Sequence, residues 1–172
     1  MSESVRPGPQ EPSDAAGDGV VERKIERMFY LYGKCLDDDR LEDWPSFFIE
    51  SGRYVIHPRD NLEAGLEGYW IYCDHRRMIR DRVLSLREAN IYNIHYARHL
   101  ISNVLVVGRD GDVHDVRANY VVLQTDNEGV THNFSAGEYR AKVVFEDGEP
   151  KFAENIVVPD TYLVKALIAI PL

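Results

Sequence analysis

The apolar positions change period along this chain, and the change divides it. Val21, Ile25, Met28, Phe29, Tyr32, Cys35 and Leu36 recur at helical spacing and make one stripe. They predict a helix of about four turns from Val20, which Gly33 weakens slightly. A polar "DDDR" turn follows. "LEDWPSFF" then predicts a short second helix, with Asp43 as its cap and Pro45 in the first turn, and with Leu41, Trp44, Phe47 and Phe48 under the first helix. "GRYVIHP" and "YWIYC" predict strands separated by a loop over "RDNLEAGLEG". Asp74 is placed to cap a third helix, "HRRMIRDRVLSLREA". Its Met78, Ile79, Val83 and Leu86 face inward, and Arg76, Arg77, Arg80 and Arg87 lie largely outside that stripe.

After Asn90 the period becomes two. Residues 97–107, 113–125, 130–145 and 151–158 predict long strands, joined by "GRDGD", "DNEG" and "EDGEP" turns. Val116, Ala118, Tyr120 and Val122 alternate with Arg117 and Asn119, a half-buried pattern. Helices followed by a run of antiparallel strands predict an α+β fold, the helices on one face of a curved antiparallel sheet. Such a sheet can curl into an open cone whose mouth holds a ligand. Residues 1–19, rich in Pro, Gly, Ser and acid, read as a flexible tail, and 20–172 as a single domain.

Composition narrows the partners. Twenty basic and 29 acidic residues give a formal charge of −9 over 172 residues. Such a surface repels nucleic-acid phosphates and anionic lipid, so neither is expected as a partner. No apolar run reaches the roughly 20 residues of a membrane span, and no signal peptide is visible, which reads as a cytoplasmic protein. The two cysteines, Cys35 and Cys73, belong to no CxxC or Cys-x-His pair. A disulfide framework, a structural zinc site and a Rieske cluster, which needs two Cys and two His, are all disfavoured.

"REANIYNIHYARHLISN" carries the densest chemistry. His95 and His99 stand four apart, but the residues between them lack the glutamate of a helical HExxH site. On a strand the two rings would stand about 13 Å apart, too far to share a metal. An acid–base role is the sharper alternative. Small cone-shaped enzymes such as ketosteroid isomerase and scytalone dehydratase place Asp, His and Tyr inside the cone, and Asp38, Tyr30 or Asp74 are candidate partners for His99. The plainer reading, favoured here, is a latch in which Arg98 and His99 tie the strand start to nearby carboxylates or carbonyls. The arginine helix reads by default as a self-paired solvated face, with Asp74, Asp81 and Glu88 interspersed. The near-continuous apolar run from Leu163 to Ile170, including Leu167, Ile168 and Ile170, needs cover from its own sheet or a neighbouring subunit.

Taken together, "LDDDRLEDWPSFFIESGRYVIHPRDN", "MIRDRVLSLREANIY", "RHLISNVLVV", "VRANYVVLQT", "GEYRAKVVF" and the final "ALIAIPL" resemble the small (β) subunit of aromatic-ring-hydroxylating dioxygenases. The resemblance covers about residues 21–172. The "WPSFFIESGRY" and "RDRVLSLREANIY" versions look most like the salicylate 5-hydroxylase and terephthalate dioxygenase branch, which acts on aromatic carboxylates. The resemblance implies a cystatin-like cone and a homotrimer supporting three large subunits in an α3β3 hexamer. The Rieske [2Fe-2S] cluster and mononuclear Fe(II) belong to the large subunit, and reductase or ferredoxin couples indirectly. No catalytic, cofactor or metal residue is carried over. Arg76, Arg77, Tyr92, Tyr96, Arg98, His99, Leu167, Ile168 and Ile170 then become subunit-interface candidates.

Overall fold

The computed structural model describes residues 13–88, 95–160, 168 and 170–172. The first helix, α1 (Ser13–Asp37), starts seven residues before the expected Val20. It therefore takes in part of the segment read as a tail. Its stripe is buried as the spacing requires: Ile25, Met28, Phe29, Tyr32, Cys35 and Leu36 are all in the core. The expected second helix is a single 3₁₀ turn, Trp44–Phe47, with Pro45 in its first turn. The Asp43 side chain makes no cap bond there and pairs instead with Arg40 at 3.0 Å. Phe48 already belongs to strand β1 (Phe48–Ile56). The loop after it contains a short helix, α2 (Arg59–Glu63), before β2 (Ile71–Cys73) and α3 (Arg76–Glu88). Four long strands complete the chain: β3 (Tyr96–Asp110), β4 (Val113–Thr125), β5 (Thr131–Glu146) and β6 (Glu149–Pro159).

The strands form one curved sheet in the order β2-β1-β6-β5-β4-β3. Its pairs are antiparallel except β1–β6, which run parallel, so the all-antiparallel expectation is corrected at that junction. The physical reason is connectivity. The chain leaves β1, crosses through α3 and the β3–β5 meander, and comes back alongside β1 in the same direction, as a parallel pair joined by a long crossover must. Register shifts in four of the five pairs bend the sheet around α1. The fold is the α+β cone.

Two glycines measure how tightly the cone closes. A Cβ on Gly33 would meet Ile101 Cδ1 at 3.1 Å and His99 Cβ at 3.2 Å. The glycine that weakens α1 therefore lets the helix lie against β3. A Cβ on Gly137 would meet the Val158 carbonyl oxygen at 2.1 Å. Backbone cannot give way as a side chain does, so Gly137→Ala is expected to cost about 1–3 kcal/mol. A urea midpoint unchanged from wild type would contradict this.

Candidate functional site: the sealed cone and its latch

Among the described residues, aromatic side chains pack against one another inside the cone. Phe29 lies 5.2 Å from Phe152, Tyr32 5.6 Å from Phe152, Trp44 4.9 Å from Tyr54, and Tyr120 4.9 Å from Tyr139, centroid to centroid. Most pairs are edge-on, the arrangement ring quadrupoles favour. At the centre sits Leu172, buried to 1% exposure. Its backbone oxygen accepts from Tyr32 Oη at 2.8 Å and from Tyr54 Oη at 3.3 Å, and its N–H donates to Tyr54 Oη at 3.0 Å. Burial pushes the phenols of Tyr32, Tyr54, Tyr120 and Tyr139 above the ordinary tyrosine range. They stay neutral near pH 7; Tyr32 and Tyr54 donate to Leu172, whereas Tyr139 Oη finds no partner among the described residues.

The last residues are held from three further sides. Arg82 on α3 donates to the Ile168 carbonyl at 2.7 Å, and Ile168 and Ile170 pack half-buried on the core. His99, its side chain fully buried, bridges α1 to the chain end. Nδ1 contacts Asp37 Oδ1 at 2.7 Å, Nε2 contacts the Pro171 carbonyl at 3.1 Å, and the His99 N–H donates to the same Asp37 oxygen at 2.9 Å. A carbonyl and a carboxylate only accept, so each ring nitrogen faces an acceptor. Of the latch expected from Arg98 and His99, His99 makes these ties and Arg98 reaches only the adjacent Ala97 carbonyl.

The carboxylate bound to His99 is none of the candidates named from sequence. Asp38 pairs with Lys34, Tyr30 donates to Glu26 at 2.7 Å, and exposed Asp74 binds the neighbouring His75 ring. Asp37 closes α1 on the face toward β3. Also missed were Tyr32 and Tyr54 as hydroxyl partners, and Leu172 as the residue they hold. His95 does not join the latch: its Nε2 meets Gln124 Nε2 at 3.2 Å.

The other candidates separate. Arg98 and His99, adjacent on β3, point to opposite faces. Arg98 is exposed and donates to the Ala97 carbonyl at 2.7 Å. Tyr96 stands exposed at the outer end of the same strand. Arg76 reaches back to β1, at the Phe48 carbonyl (3.2 Å) and Glu50. Arg87 spans the turn after α1, pairing with Asp39 at 2.8 Å and Glu42 at 2.7 Å. Self-pairing within α3 is thus corrected. Among the described residues its arginines pair across to other elements, because carboxylates on β1 and the α1 turn face them. Arg77 and Arg80 are exposed and make no ion pair among the described residues. Met78, expected inward, is exposed at 36%. Tyr92 and Leu167 lie outside the described residues.

A cluster or iron centre finds no matching donor set in this part of the chain. Cys35 gives its thiol to the Arg40 carbonyl at 3.0 Å and is pushed up to about 11, mainly by burial. Burial likewise raises Cys73. Among the described residues no three His, Cys, Asp or Glu side chains converge as metal ligands. Nor is any described helix long and apolar enough to cross a membrane.

The match of this α+β cone to a known family is direct. The family of ring hydroxylating beta subunits aligns with residues 33–165, and the chain belongs to it. The small subunit of anthranilate 1,2-dioxygenase from Burkholderia cepacia is 42% identical over 80% of this chain and 85% of its own length. A β subunit of the terephthalate 1,2-dioxygenase terminal oxygenase from Comamonas is 34% identical over 89% of this chain and 99% of its own. Among solved structures, a Novosphingobium aromaticivorans protein assigned as the β subunit of an aromatic-ring-hydroxylating dioxygenase superposes with a TM-score of 0.83. It is 37% identical and covers 90% of this chain and 99% of its own.

Proposed function

We propose that this chain is the non-catalytic small subunit of a cytoplasmic aromatic-ring hydroxylase or dioxygenase that uses O2 and NAD(P)H. It forms a homotrimer and scaffolds three large subunits in an α3β3 assembly. The Rieske [2Fe-2S] cluster and mononuclear Fe(II) sit in the large subunit, which receives electrons through a reductase or ferredoxin. The substrate class is an aromatic carboxylate, in keeping with the anthranilate and terephthalate enzymes to which its relatives belong.

The observation that carries this reading is the sealed interior. A cone that binds a small molecule keeps space and access in its mouth. Among the described residues Leu172 and the aromatic cluster pack inside the cone, and the Asp37–His99 pair reaches the Pro171 carbonyl, which supports this reading. The rival reading is a stand-alone isomerase or dehydratase using His99 with Asp37. Co-expression with the large subunit, followed by mass measurement and iron analysis, decides between them. The scaffold co-purifies with an iron-containing partner and turns over nothing alone. An isolated, metal-free chain that converts a small molecule overturns the proposal.

The unpaired arginines of α3 make a rim for the large subunit. Reversing Arg77 and Arg80 to Glu is expected to slow association about 3- to 10-fold at low salt, the difference shrinking as salt rises, because exposed charges steer encounter. Rates unchanged in stopped-flow binding would remove α3 from that surface.

A further inference from the structure

We infer that the cone contains an internal hydration site, in which at least one ordered water is held by the side-chain amide of Asn155 and the hydroxyl of Tyr139. Asn155 lies on β6 with no exposed surface, and neither its Oδ1 nor its Nδ2 meets a hydrogen-bond partner. Register aims the amide inward. Tyr54 on β1 and Ala141 on β5 stand directly beside it, and both belong to the buried core. Tyr139 is equally buried, and its hydroxyl is also unpartnered. It sits two residues from Ala141 on the same face of β5, diagonal to Asn155 across the β5–β6 ladder.

Three observations choose water as the occupant. First, a buried amide and a buried hydroxyl are costly without partners, and folded chains pair such groups with protein atoms or with ordered water. The strand neighbours of Asn155 offer it nothing: the Tyr54 hydroxyl is engaged with Leu172, and Ala141 has no polar side chain. Second, the amide presents an acceptor at one end and donors at the other, and a hydroxyl does both. The occupant must therefore give and take hydrogen bonds, whichever way the amide is turned. Neither group carries charge, so an ion would find nothing there to pair with. Third, the wall has small residues where space is needed. Ala141 lies opposite Asn155, and Ala118 lies opposite Tyr139, among large neighbours such as Tyr120 and Phe152. Side chains that stop at Cβ leave space beside the amide and the ring, and a water occupies only about 30 Å³. Asn155 Oδ1, Asn155 Nδ2 and Tyr139 Oη supply the two to four polar partners that a buried water typically has.

The test is a crystal structure of the full chain at a resolution that shows ordered solvent, with oxygen-17 relaxation dispersion of water alongside to count slowly exchanging internal molecules. Wild type is expected to show water density within about 3.2 Å of the Asn155 amide, bridging toward Tyr139 Oη. Asn155→Leu, close in shape and without polar atoms, should reduce the slow-water count by at least one. Tyr139→Phe should leave that water in place but speed its exchange, because one of its anchors is gone. A wild-type structure with no water on the amide overturns the site. So does an amide bonded directly to another protein group, or a larger molecule in the same place. An equal slow-water count in wild type and Asn155→Leu overturns it as well, and wild-type exchange in Tyr139→Phe overturns the bridge to Tyr139. Should Asn155→Leu fail to fold, the wild-type density decides the matter alone.

Discussion

Deleting residues 167–172 is expected to lower the thermal midpoint by about 10–20 °C and to leave a chain that binds hydrophobic dye at room temperature. The estimate starts from Leu172. Emptying a fully buried leucine site costs about 2–5 kcal/mol. Tyr32 and Tyr54 also lose the backbone oxygen that both hydroxyls share. Each buried hydroxyl left unmet costs about 1–3 kcal/mol, less where entering water reaches it. Water that reaches the hydroxyls also wets the aromatic cluster behind them, so relief at one group is a loss at the next. A loss near 5 kcal/mol is a large share of the stability of an ordinary domain. Leu172→Ala isolates the packing part and should cost about 2–5 kcal/mol by itself. A truncated chain with the wild-type melting curve would mean that the interior is held by the sheet alone.

The second large effect is expected at the latch. His99→Ala removes the ring between Asp37 and Pro171 and strands a carboxylate that is only 10% exposed. Leaving a buried carboxylate without its partner costs upward of about 3 kcal/mol. The His99 N–H still donates to Asp37, so the lower end is expected, about 3 kcal/mol. The urea midpoint should fall with an unchanged slope, and Asp37→Asn combined with His99→Ala should cost clearly less than the two single changes added together. This outcome also separates the two functional readings. A latch histidine changes stability, whereas a catalytic one abolishes turnover at constant stability. A His99→Ala chain that melts like wild type removes the structural role.

What the linear chain determined by itself is the set of elements that hydrophobic period encodes. The α1 stripe, the inward face of α3 apart from Met78, and the four long strands with their Gly-containing turns were legible because burial of one face imposes period 3.6 on a helix and 2 on a strand. The string of motifs also placed the chain in its family. Only the tertiary structure decided which groups meet. Asp37 rather than Asp38 reaches His99, since the choice depends on the angle at which α1 lies on β3, set partly by Gly33. The parallel β1–β6 pairing depends on a crossover that no local pattern records. Leu172 is the extreme case. It is one apolar residue at the end of an apolar run, and its place between two tyrosine hydroxyls follows from long-range packing, which leaves no periodic trace in the sequence.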